Sequence, residues 1–228
     1  MRPLTTESEW LRSSDPERLL RHVKKSHADR TSAGRRKLRL FACACCRRGW
    51  DYLHLEPEIR DCIEFAESFA DGEGTKDELK RSGNECTVRY NTARRELGED
   101  GPIATLAYAA RSTCDPVANP LRSGVYNSVG WALGGEPAFD YPAQAALLRC
   151  IFGNPFRPVA FDPRWRTETA VALATGIYAD RAFDRMPIVA DALEEAGCDQ
   201  PDVLTHCRQP DGPHARGCWV VDGVLGKA

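Results

Sequence analysis

Apolar residues recur along this chain at spacings of three and four, the period of a helix with one buried face. Leu38, Phe41, Ala42, Cys45, Gly49 and Tyr52 form one such stripe, and Ile59, Cys62, Ile63 and Ala66 form another. Period-two alternation, the mark of a half-buried strand, is hard to find. Helix punctuation frames the stripes. Thr6 with Glu9 and Thr75 with Glu78 have the spacing of a capping box. Asp15-Pro16 sets a capping carboxylate before a proline at the first helical position, with Leu19, Leu20 and Val23 following on one face. Ser32 reads as the cap of a helix running to about residue 53. Pro57 opens a helix that Asp71-Gly72 ends, and the helix begun at Thr75 reaches about Leu97.

Gly101-Pro102 begins a small-residue helix through Leu106 and Ala110, and Asn119-Pro120 begins another through Leu121, Val125 and Val129. A loop rich in glycine, proline and aromatics covers residues 134–141, after which a helix from Ala143 stops at Gly153. Residues 154–163 contain three prolines and cannot be helical. That stretch is the expected boundary between an N-terminal helical bundle, residues 1–153, and a smaller C-terminal helical unit, residues 154–228. Helices are expected there over 167–178, 187–196, 201–207 and about 216–225. The predicted fold class is all-α.

Composition changes this picture little: 42% hydrophobic and 28% charged residues, with a net charge of -2, describe an ordinary globular protein. Charge distribution changes it more. Between Arg18 and Arg48 eleven Lys and Arg face Asp29 alone, a local excess of ten positive charges that could track phosphates. The next segment answers with Glu56, Glu58, Asp61, Glu64, Glu67, Asp71 and Glu73 against Arg60. Two helices of opposite sign suit pairing within the fold. No apolar run approaches a membrane span, and Thr5, Thr6, Glu7 and Glu9 occupy the place where a signal peptide needs an apolar core. A cytoplasmic protein is expected.

Ten cysteines bring in candidate chemistry. Cys198, Cys207, His214 and Cys218 fall as C-x8-C-x6-H-x3-C, with His206 as an alternative ligand. Thiolate and imidazole are ligands that zinc prefers, and four protein ligands would close a structural site. The competing reading makes Gly197 the left-handed residue after a helix, Cys198 the contact that follows it, and Cys207 and Cys218 core thiols. Cys43, Cys45 and Cys46 lie in one helix without a nearby histidine and read as packing. Cys62, Cys86, Cys114 and Cys150 stand singly among apolar neighbours and read as buried hydrophobes. No G-x-S-x-G, H-E-x-x-H or glycine-rich phosphate loop occurs, so no catalytic or cofactor-binding residue is assigned.

Three segments carry a resemblance: RKLRLFACACCRR at 36–48, IFGNPFRPV at 151–159, and the tail from 182 through RGCWVVD at 216–222. Together they resemble a family of uncharacterised bacterial proteins expanded in planctomycetes. The resemblance implies a bacterial cytoplasmic protein and transfers no activity, cofactor or catalytic residue. The residues favour a non-catalytic helical interaction or regulatory module acting on a protein partner. Two alternatives stay open: a nucleic-acid binder using the basic region from Arg18 to Arg48, and a thiol-dependent enzyme.

Overall fold

A computed structural model describes residues 4–26, 28–53, 56–99, 101–115, 129, 140–209 and 212–227. All regular structure among the described residues is helical, as expected. The α-helices, numbered in chain order, are α1 (Glu7–Arg12), α2 (Pro16–Lys25), α3 (Ser32–Arg47), α4 (Pro57–Ala70), α5 (Lys76–Leu97) and α6 (Pro102–Thr113). They continue as α7 (Tyr141–Phe152), α8 (Glu168–Asp180), α9 (Met186–Glu195), α10 (Pro201–Arg208) and α11 (Trp219–Leu225). None is long and apolar enough to cross a membrane. The helix expected after Asn119-Pro120 and most of the loop at 134–141 lie outside the described residues.

The chain divides into two compact units, Met1–Leu148 and Arg149–Ala228, so the division falls inside α7. The proline-interrupted stretch 154–163 belongs to the second unit and ends in a short 3-10 turn, Pro163–Trp165.

In the first unit α3, α4, α5 and α6 pack on one another and bury Leu38, Phe41, Ile59, Ile63, Leu79 and Leu106. Both capping boxes form: Thr6 and Thr75 each accept from the backbone N–H three residues on, while Glu9 and Glu78 reach back. One boundary differs from expectation. Thr31, not Ser32, caps α3, accepting from Gly34 N–H at 3.0 Å, and the helix stops at Arg47 instead of reaching residue 53. The i→i−3 bonds from Arg48 and Gly49 tighten its end, where Gly49 sits so close to Leu106 that a Cβ would lie 2.7 Å from it. A short 3-10 helix, Trp50–Leu53, follows.

The basic and acidic helices meet through specific pairs. Arg36 on α3 donates to Asp71 at 2.9 Å, and Arg47 grips Glu67 with bonds of 2.6 and 2.8 Å. Arg48 reaches Asp140 at 2.6 Å and Arg89 clamps Glu56. Glu56, Glu67 and Asp140 are all buried, so each pairing compensates a desolvated carboxylate. The three thiols of α3 are buried as well. Burial pushes Cys43, Cys45 and Cys46 well above the ordinary thiol value, which suits packing and not nucleophilic chemistry.

The second unit has its own core, in which Ile177, Tyr178, Val189, Leu193, Val203 and Val221 pack with four cysteines: Cys150, Cys198, Cys207 and Cys218.

Candidate metal centre

The three segments that meet here are each shaped by local sequence. The last turn of α7 supplies Cys150, and α10 supplies His206. Pro201 stands at the start of α10, where a missing N–H costs nothing, and Val203 and Cys207, four apart, form its buried face. His206 is one residue, about 100° round the helix, from that face, and so points elsewhere. After α10 the chain runs through Gly212 to His214 and then turns sharply. The Cys218 N–H donates to the Ala215 carbonyl at 2.9 Å, with Gly217 at φ 86 in the position where a type II turn requires a positive φ. This turn explains why α11 begins at Trp219 instead of near residue 216. Cys218 is its N-cap residue, its carbonyl accepting from Asp222 N–H at 2.8 Å.

Arg216 anchors the turn to α8. Its Nε donates to the Tyr178 carbonyl at 3.2 Å, and its guanidinium lies 4.9 Å from the centre of the Tyr178 ring.

These elements bring one ligand atom each from Cys150, His206, His214 and Cys218 within 4.8 Å of one another. His206 Nε2 is 3.2 Å from Cys218 Sγ, and His214 Nδ1 is 3.8 Å from Cys150 Sγ. The two imidazoles meet edge to face with centroids 4.8 Å apart. A tetrahedral zinc with bonds of about 2.3 Å to sulfur and about 2.0–2.1 Å to nitrogen places neighbouring nitrogen and sulfur ligands about 3.6 Å apart. The two observed nitrogen–sulfur distances bracket that value. The four groups lie close enough to hold one metal ion.

The electrostatics agree. Burial opposes ionisation of Cys218, but the Cys150 thiol bonded to its sulfur and the adjacent His206 and His214 outweigh burial and hold Cys218 well below the ordinary thiol value. Cys150 is pushed well above it, first by that bond to Cys218 and then by burial. The two sulfurs are thus shifted in opposite directions, and a cation bound between them would favour loss of their protons. Both sulfurs are fully enclosed, and the Ala215 N–H faces the Cys150 sulfur. With His214 Nδ1 turned to the Cys150 sulfur, the other ring nitrogen, Nε2, is buried with no hydrogen-bond partner among the described residues. Phe183 stacks on His214 and Trp219 lies against His206, fixing both rings.

Of the residues that sequence spacing grouped, the structure brings together His214 and Cys218, together with the alternative ligand His206. Cys198 and Cys207 are outside the cluster. Cys198 follows Gly197, whose φ is 84, and its N–H bonds the Leu193 carbonyl while Gly197 N–H bonds that of Glu194. This is a Schellman ending of α9, with Cys198 as its apolar contact. Cys207 lies on the buried face of α10, its thiol pushed up by burial. Cys150 takes part instead. It precedes His206 by 56 positions and stands alone in an apolar helix, so no local spacing marks it.

Compared with known proteins, the chain matches no family model, no curated protein and no solved structure.

Proposed function

We propose that the second unit holds one structural zinc ion through Cys150, His206, His214 and Cys218, and that the chain acts as a non-catalytic helical interaction or regulatory module. The convergence of four ligating atoms within 4.8 Å, drawn from α7, α10 and the stretch that joins α10 to α11, carries this reading. Two sulfurs and two imidazole nitrogens suit zinc over the hard oxygen-seeking cations. Four protein ligands leave no open position for water, which favours a structural role over a hydrolytic one. Every cysteine in the chain is buried, and that supports a non-catalytic role over a thiol-dependent enzyme.

The test is elemental analysis of the purified chain, followed by chelation. One zinc per chain is expected, together with a lower melting temperature after chelation and recovery on adding zinc. His206→Ala and Cys218→Ser are each expected to abolish stoichiometric zinc. A folded chain that takes up no zinc, or whose melting temperature is indifferent to it, would overturn the proposal.

A further inference from the structure

A cavity of about 350 Å³ in the first unit has no part in the metal centre. One side is a single face of α3, where Ser32, Arg35, Arg36 and Arg39 stand at i, i+3, i+4 and i+7. Lys76, the first residue of α5, adds a fourth cation, and Phe69 and Leu79 supply an apolar wall. Asp71 answers Arg36. Among the described residues no carboxylate is bonded to the other three, although the Asp115 charge acts on Arg39. Arg39 is 4% exposed, yet its guanidinium donates only to the neutral carbonyls of Thr113 and Asp115 and lies 5.2 Å from the Phe69 ring centre. Arg35 donates to the Arg30 carbonyl, and neither it nor Lys76 makes an ion pair among the described residues.

Local rules run against this arrangement. Arg35 and Lys76 stand near the N-terminal ends of α3 and α5, where the helix dipole repels cations. A buried guanidinium with no carboxylate bonded to it is costly, and several like charges around one cavity add to the cost. A multiply charged anion in the cavity removes all three conflicts at once, and such local inconsistencies mark functional sites.

We propose that this cavity binds a small phosphorylated molecule, with its phosphate held by Arg35, Arg39 and Lys76 and its body against Phe69 and Leu79. Guanidinium forks match the geometry of phosphate oxygens, and the ammonium adds a point charge. The volume suits a small ligand, whereas a polymer backbone calls for a long basic groove with stacking aromatics. Further along α3, Arg47 is already committed to a carboxylate, which shortens any basic track.

Titration calorimetry on the full chain tests this, with inorganic pyrophosphate, 5′-AMP, adenosine and a single-stranded oligonucleotide as probes. Saturable one-to-one binding is expected for pyrophosphate and for 5′-AMP, and none for adenosine. Arg35→Glu and Lys76→Glu change exposed side chains, so the fold should persist, and each is expected to weaken binding on the order of tenfold. Lys25→Glu, a matched charge reversal outside the cavity, is expected to leave binding unchanged. The proposal is overturned if neither small anion binds saturably, if Lys25→Glu weakens binding as much as the cavity variants, or if the oligonucleotide binds more tightly than both small anions.

Discussion

His206 and Cys207 are adjacent in sequence and opposite in role, because neighbouring positions on α10 point about 100° apart. His206 turns to the cluster and Cys207 to the core with Val203. Cys207→Ser is therefore expected to leave zinc content intact and to cost about 1–3 kcal/mol for burying a hydroxyl among apolar groups. Cys218→Ser should instead remove the metal. Elemental analysis paired with urea denaturation separates the two outcomes, and loss of zinc in Cys207→Ser would mean that the ligand set differs from the one described. The same pair shows what sequence could reveal. His214 and Cys218 are legible as ligands because three residues separate them in a short segment that also carries His206. Cys150 is illegible because its role arises only when α7 is packed beside the tail, and its neighbours Leu147, Leu148 and Ile151 mark it as core.

Helix starts are legible at Thr6, Asp15, Thr75 and Thr167, where a side chain closes the first turn, and miss by one residue at Thr31. Helix ends depended on tertiary contact. The apolar stripe of α3 runs on past Arg47, but the helix stops there, with Gly49 set close against Leu106 of α6, a contact that no local signal conveys. Gly197 is an ending that sequence does convey. Its φ of 84 is strained for any residue with a Cβ, while no atom lies within 4 Å of where that Cβ would stand. Gly197→Ala should then cost about 1–2 kcal/mol from backbone strain alone, without a steric clash. A shift of the urea midpoint with no change in slope is the expected signature. Wild-type stability in this variant would show that the Schellman ending is not needed.

At the scale of the whole molecule, an all-α architecture followed from periodicity and capping, while the placement of ionisable groups needed the structure. Cys43, Cys45 and Cys46 illustrate the energetic consequence. Their thiols ordinarily titrate near 9, and burial holds all three well above that value in the folded state. Above about pH 9 the unfolded chain therefore binds fewer protons than the folded one, and stability must fall as pH rises. The contribution of these thiols is fully present below that pH and is lost above it, by up to about 1.4 kcal/mol per pH unit for each. Urea denaturation under reducing conditions between pH 8 and pH 10 should show this decline, and Cys45→Ala should make it shallower. A flat profile would show that the α3 thiols ionise in place.

The order in which the four ligands leave the ribosome follows from their positions. Three of them fall between residues 206 and 218, but Cys150 emerges 68 residues before Cys218. At synthesis rates of roughly 5–20 residues per second, that interval lasts about 3–14 s. Throughout it the Cys150 thiol waits without its partners, open to oxidants and to adventitious metals that the finished centre would exclude. If these four residues hold the proposed ion, its capture waits until Cys218 has been made, and the interval before that is when the Cys150 thiol is most easily lost to other chemistry.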